Sequence, residues 1–321
     1  MDQLTPSNLP PDFAARLPHI VPAPYLAEVL RAFTLHRPTT FRVNSLKTTR
    51  AALIAQLAHA GFSVEPVAWC ADAFILRNKS KAELIETPAY QNGELYVQSL
   101  SSMIPPLILQ PMPGEKIGDL AAAPGSKTTQ IAALMQNTGE LIANDRSKIR
   151  LFKLVANLKL QGVKNARTSL GEGEQLWKRF PEYFDRTLVD VPCSLEGRFE
   201  TGNPKSFGDW SLKKVRTLSV HQCHLLRAAV SATKPGGVIV YSTCTLSPEE
   251  NEGVLDWLIA KEGDAVEMLP IEMPVAAQPG ITTWERQTYA PAVALSARIL
   301  PSDTLEGFFI AKLRKVRSNL P

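Results

Sequence analysis

The chain has 321 residues, 45% of them apolar and 21% charged, with a formal net charge of +4. That composition excludes a disordered or low-complexity chain and allows one large core or two domains. No apolar run approaches the roughly 20 residues of a membrane span, and the opening MDQLTPSNLPPDF lacks the basic-then-apolar order of a signal peptide; a cytoplasmic protein with no membrane partner is expected.

In chain order, residues 1–37 are proline-punctuated and turn helical in YLAEVLRAF, where Leu26, Val29, Leu30 and Phe33 keep helical spacing. From about Thr40 the texture changes. TFRVNSLK reads as a strand, TRAALIAQLAHAGF as a helix closed by Gly61, and SVEPVAW, AFILRN and ELYVQS as short strands, which predicts a small α/β unit over 38–97. Beyond Leu100 strands alternate with helices: EKIGDLA then KTTQIAALMQ, ELIAND then SKIRLFKLVANLKLQG, NARTSL, FDRTLVDV, a long helix from Ser211 to Thr233, GVIVYST, and PEENEGVLDWLIAKEG. Such alternation implies crossover units and a doubly wound, mostly parallel sheet over 98–321, with its ligand at the carboxyl ends of the strands.

Five segments at those ends carry chemistry-bearing residues. DLAAAPGSKTTQ, from Asp119 to Gln130, is a small-residue turn that brings backbone close to a ligand at a helix N-terminus, and its spacing is neither that of a P-loop nor G-x-G-x-x-G. Asp145 ends the second strand, placed either for ribose hydroxyls or as a helix cap, and Glu172 follows the third. Asp190, Pro192 and Cys193 end the fourth. The fifth ends at Cys244, ahead of Ser247, Pro248 and Glu250, whose pattern predicts a capping box. A core cysteine would read the same way.

Cys70 and Cys223 read as packing residues, and the four thiols show neither a CxxC pair nor zinc spacing; free cysteines and no metal are expected, His221 and His224 included. The stretch from Arg146 to Arg167 also carries Lys148, Arg150, Lys153, Lys159 and Lys164 with no acid, which suits a solvated helix face or a phosphate-binding surface equally.

Taken together, FRVNSLK, YVQSLSSM, DLAAAPGSKTTQIAALM, DVPCS, TKPGG, YSTCTLSPEENEGVL and EGFFIAKLRK resemble the RNA 5-methylcytosine methyltransferases of the RsmB, RsmF and NSUN types over about residues 38–315. PVAWC and AAAPGSK look most like the RsmF branch, without its C-terminal extension. The resemblance implies a Rossmann-like methyltransferase sheet that binds S-adenosylmethionine, a small RNA-contacting domain before it, and rRNA or tRNA as partner, with a monomer expected. It places Ala121, Ala122, Ala123, Pro124, Gly125, Ser126 and Lys127 around the cofactor, with Asp145, Arg150, Glu172 and Asp190 as further contacts. Cys244 matches the covalent nucleophile and Cys193 the cysteine that helps release product, while Asp190 and Lys127 also meet the cytosine. Arg42, Asn44 and Lys47 are expected on RNA. Two departures stand out: Glu172 replaces an Asp, and Leu195 stands where a glycine is common. The attacking sulfur must be a thiolate, against an ordinary thiol pKa of about 8.5, so a positive neighbour such as the cofactor's sulfonium or Lys127 is called for. A DNA cytosine-5 methyltransferase, or an RNA-binding assembly factor without activity, would keep parts of the same pattern.

Overall fold

The computed structural model describes residues 8–320; the reading of the extreme N-terminus falls largely on residues 1–7, outside that range. The first helices, α1 (Pro11–Ile20) and α2 (Ala23–Ala32), each start with proline in the first turn, where no intrahelical N–H is lost. Phe13 of α1 sits edge-on to Phe33, Phe199 and Trp210, with ring centroids 5.7, 4.9 and 5.9 Å away. These helices therefore pack against the large sheet's side of the molecule.

Next comes β1 (Thr40–Val43), then α3 (Arg50–His59), whose cap Thr49 accepts from the Ala52 amide at 3.2 Å. Strands β2 (Val64–Val67) and β3 (Cys70–Leu76) follow, then the short helices α4 (Lys81–Ile85) and α5 (Pro88–Gln91), and β4 (Leu95–Val97). The four strands form an antiparallel sheet in the order β2-β3-β1-β4. Phe41, Leu53, Leu57, Leu84 and Leu95 close its core, and each fully buried large side chain contributes roughly 1.5–3 kcal/mol.

Helix α6 (Leu100–Leu109) leads into β5 (Lys116–Asp119), α7 (Ser126–Leu134), β6 (Glu140–Asp145), α8 (Lys148–Leu160), β7 (Ala166–Leu170), β8 (Phe184–Asp190), α9 (Leu212–Ala232) and β9 (Thr233–Thr243). After α10 (Glu252–Glu262) come β10 (Val266–Leu269), β11 (Gln278–Pro279), the hairpin β12 (Thr283–Trp284) and β13 (Gln287–Thr288), β14 (Ala297–Ile299) and β15 (Phe308–Lys315). The nine-stranded sheet runs β11-β14-β15-β9-β8-β5-β6-β7, with β10 also on β15. Its half from β7 to β9 is parallel, and β15, β14, β11 and β10 are antiparallel additions.

Period-two alternation divides this sheet's core. Leu188, Val240 and Ile310 face α6 and α7 through Ile104, Ile108 and Ile131. Their neighbours Val189, Ile239, Tyr241 and Phe309 face the other way, toward α9 and α10 through Leu225, Leu226, Leu255 and Leu258. With both faces covered, the central strands read as nearly continuous apolar runs, and only their carboxyl ends are left for polar chemistry. The strand order reverses between β5 and β8, which opens the crevice there.

Candidate active site

The turn after β5 is shaped by its small residues. Gly125 begins α7 at φ +109°, and a Cβ there would come within 2.9 Å of Leu154 Cδ1, so glycine is required both for the angle and for the close approach of α8. Asp119, 1% exposed, accepts from Thr128 Oγ1 at 2.7 Å, and burial pushes its carboxyl up to about 7. At the end of β6, Asp145 is 2% exposed and holds the turn from the side: its carboxylate accepts from the Ala123 amide at 3.2 Å and the Ser147 amide at 2.9 Å. Arg150 Nη2 lies 3.4 Å from Asp145 and also donates to the Ala123 carbonyl. Glu172 follows β7 on the surface, 3.9 Å from Arg146.

β8 and β9 are parallel neighbours with Asp190 beside Ser242, so their carboxyl ends bring the two cysteine loops together. Cys193 Sγ and Cys244 Sγ are 3.3 Å apart, a thiol contact far longer than the about 2.05 Å of a disulfide. The Cys244 amide also points at Cys193 Sγ, at 3.4 Å. Cys193 is buried, whereas Cys244 is partly open. The hydrogen bond from Cys244, together with burial, holds the Cys193 thiol well above the usual thiol range and so favours its protonated form. Asp190 accepts from Lys127 Nζ and from Ser242 Oγ, both at 2.7 Å, and Lys127 donates to Ser102 Oγ at 2.8 Å.

Two buried carboxyls staple the cysteine loops to each other. Glu196, from the Cys193 loop, accepts from the Leu246 amide at 3.2 Å, Ser247 Oγ at 2.6 Å and Trp210 Nε1 at 2.9 Å. Glu250, from the Cys244 loop, accepts from the Ser194 amide at 3.0 Å and Gln222 Nε2 at 2.8 Å, and Gln222 also donates to the Pro192 carbonyl at 2.8 Å. Burial raises both acids, Glu250 to about 8. This corrects the predicted capping box: Ser247 and Glu250 reach across to the other loop, and α10 starts only at Glu252, because the segment between is folded into turns under the thiols.

The thiols, Asp190, Lys127, Arg150 and the turn from Ala121 to Ser126 line one cavity of about 620 Å³, whose opposite wall comes from the small sheet through Tyr96, Gln98 and Ser99. A hollow of about 740 Å³ beside Lys47 and Lys159 is larger but holds neither thiol nor Asp190. Two RNA expectations are corrected. Arg42 is 3% exposed and bonds Gln98 and Thr129, and Asn44 is 1% exposed and donates to the Gly93 and Gln161 carbonyls at 2.7 and 2.8 Å. Their donors tie the small sheet to α7 through Thr129 and to the end of α8 through Gln161, where both side chains are shielded from solvent. Burial lowers the Arg42 guanidinium to about 10. Lys47 is exposed, with Nζ donating to the Asn92 carbonyl at 2.6 Å. The histidines have structural partners: His221 pairs with Glu174 at 2.5 Å, and His224 sits edge-on to Trp257 at 5.8 Å. Arg198 and Glu306, which also line the cavity, carried no signal in the sequence, because nothing in EGRF or LEGFF marks them until the loops meet.

Comparison with known proteins gives consistent relatives. A family model described as 16S rRNA methyltransferase RsmB/F matches residues 106–314, and another, the N-terminal domain of 16S rRNA methyltransferase RsmF, matches residues 9–100. The tRNA (cytosine(49)-C(5))-methyltransferase of Pyrococcus abyssi is 40% identical over 289 residues, covering 88% of this chain and 90% of the relative. Ribosomal RNA small subunit methyltransferase F of Pectobacterium atrosepticum is 37% identical over 100% of this chain, which spans 66% of that protein's length. Among solved structures, a methyltransferase homolog from Pyrococcus horikoshii superposes with a TM-score of 0.82 at 32% identity, covering 96% of this chain and 95% of that one. NSun6 from Pyrococcus horikoshii with SFG superposes at 0.80 and 25% identity, over 98% and 99%.

Proposed function

The chain belongs to the 16S rRNA methyltransferase RsmB/F family, and from that premise we propose that it methylates carbon 5 of a cytosine in rRNA or tRNA through a covalent cysteine intermediate, with S-adenosylmethionine as methyl donor. The observation that carries this reading is the pair of thiols 3.3 Å apart beside an Asp190–Lys127 pair at 2.7 Å, in one cavity with the small-residue turn. The cavity fits the cofactor on its own terms: the turn from Ala121 to Ser126 is free of bulky side chains, and buried Asp145 and half-exposed Arg150 adjoin it. Ala121 to Lys127, Asp145 and Arg150 would hold it, with Asp190 between it and the base, whereas Glu172 lines a separate hollow of about 450 Å³ with Trp177 and His224. When bound, the cofactor supplies an electrophilic methyl group.

The chain's residues do the rest. Cys244, the more open thiol, gives its proton to solvent and adds through sulfur to carbon 6, which makes carbon 5 electron-rich enough to take the methyl. Asp190 faces the ring's amino and N3 edge, fixed by Ser242 and Lys127, and holds the base while charge shifts across it. Lys127 spends its charge on Asp190 at 2.7 Å, so it supports Cys244 only through that pair. Water takes the proton on carbon 5, the electron pair of that carbon–hydrogen bond expels Cys244 as a thiolate, and Cys193, kept protonated by its neighbour and by burial, gives its proton to the departing sulfur and regains one from that water.

We assign residues 98–321 to the methyltransferase domain, 38–97 to a small RNA-contacting unit, and 1–37 to an N-terminal helical segment, in a monomeric cytoplasmic protein. The names of the relatives divide between 16S rRNA and tRNA, and these are the two substrate classes we propose. Incubation with methyl-labelled S-adenosylmethionine and, separately, bulk tRNA and 16S rRNA, followed by nuclease digestion, tests the reading. Label is expected in 5-methylcytidine from one of the two, and label in another nucleoside or in neither refutes it.

A further inference from the structure

We propose that Arg198 grips a phosphate of the RNA strand next to the cytidine in the pocket, an assignment that rests on the reading of this site as an RNA methyltransferase. Arg198 ends the short turn Glu196–Arg198 that follows the Cys193 loop. Its backbone is fixed from three directions: the Gly197 amide donates to the Cys244 carbonyl at 3.0 Å, the Arg198 amide to Leu195 at 2.9 Å, and the Gly307 amide to Gly197 at 2.9 Å. The loop before β15 comes so near that a Cβ on Gly197 would lie 2.0 Å from the Gly307 carbonyl oxygen. That contact sets Arg198 Nε 3.1 Å from Glu306 Oε1. Glu306 is itself tied down, its other oxygen accepting from Ser99 Oγ at 2.9 Å and its carbonyl from Ser101 Oγ at 2.8 Å.

The guanidinium is thus aimed by one nitrogen, while its side chain stays 53% exposed and lines the cavity that holds Cys193 and Cys244. The other basic groups of the cavity are engaged or belong to other walls. Lys127 is bound to Asp190 and Ser102, Arg150 to the cofactor turn, and Lys81 stands on the wall formed by the small sheet. A cytidine drawn out of its stack loses a few kcal/mol of stacking and pairing, and the groups that read its ring do not fix the strand it hangs from. A planar guanidinium with its two terminal nitrogens available matches a phosphate's paired oxygens, which a lysine does not.

The test is steady-state kinetics with bulk tRNA and 16S rRNA as substrates, whichever the wild type methylates, for R198A, R198K and R198Q. For R198A we expect KM for RNA to rise about 10- to 100-fold. The slope of log KM against log salt should fall by about 0.7, one phosphate on a single strand, while calorimetric affinity for S-adenosylmethionine stays unchanged. R198K should recover part of KM. Should R198A fail to bind cofactor, R198Q, which keeps donors toward Glu306, carries the same expectation. Unchanged KM and salt slope, or a fall confined to kcat, overturns the inference. Absence of methyl transfer by the wild type would instead overturn the functional reading beneath it.

Discussion

Arg298→Met tests whether the floor of the Cys244 loop is held by charge. Arg298 is 3% exposed and forms a two-pronged pair with Glu252, which is 0% exposed, while its third nitrogen donates to the Leu246 carbonyl at 2.9 Å, two residues from Cys244. Glu252 has a second partner in the Ile281 amide at 2.8 Å, so the carboxylate stays in place when the arginine goes, charged and without its cation. Removing one partner of such a pair costs about 3–5 kcal/mol. At about 2.1 cal/mol/K of unfolding entropy per residue, 321 residues give about 0.7 kcal/mol/K, so Tm should fall by about 4–7 °C. Scanning calorimetry reads the shift. The double variant R298M/E252Q should recover part of it, because a glutamine keeps an acceptor for the Ile281 amide and leaves no uncompensated buried charge. A single-variant Tm within 1 °C of wild type, or a double variant no better than the single, would refute the reasoning.

Gly197→Ala places a methyl group 2.0 Å from the Gly307 oxygen and must separate the Cys193 loop from the loop before β15; activity should fall at least about tenfold at near-normal cofactor affinity, and unchanged kcat would contradict the contact. Lys127→Met removes the cation on Asp190 at 2.7 Å and should lower kcat about 100-fold or more, measured by labelled methyl transfer at saturating RNA; a loss in KM alone would place Lys127 outside the reacting centre. Burial pushes the carboxyls of Asp119 and Glu250 up to about 7 and about 8 in the fold, against ordinary values of 3.8 and 4.5. A folded pKa above the unfolded one means that their stabilising contribution is complete below about pH 4 and is lost as pH rises through 7 to 8. Glu250→Gln, which keeps an acceptor for the Ser194 amide, should flatten the fall in urea midpoint between pH 5 and 8; a slope identical to wild type would show that Glu250 is not the titrating group.

The parallel half of the large sheet was legible because each strand from β5 to β9 is a short apolar run followed by a helix with its own period, and because the chemistry-bearing residues cluster at carboxyl ends. Family motifs then joined Asp190, Cys193 and Cys244, which lie up to 54 residues apart in the chain yet meet at one edge. The antiparallel strands β11 and β14 are not legible in the sequence, since with only two and three residues each they carry no measurable alternation. Arg42 and Asn44 misled for a different reason: a basic or amide side chain on a strand looks the same in sequence whether it meets solvent or the neighbouring sheet. Ser247 and Glu250 carry a capping pattern, yet the buried amide of Ser194 and Gln222 compete for the acid and win. The Arg198–Glu306 pair exists only because two glycine backbones touch.

The central claim is that Cys244 attacks and Cys193 releases. It is tested most directly by incubating wild type, Cys193→Ser and Cys244→Ser with the RNA that the wild type methylates, plus S-adenosylmethionine, and separating the products on a denaturing gel. Cys193→Ser should accumulate a covalent protein–RNA band, while Cys244→Ser should give neither band nor product. An active Cys244→Ser, with no band from Cys193→Ser, would contradict it and make Cys193 the nucleophile, as in a DNA-type cytosine methyltransferase.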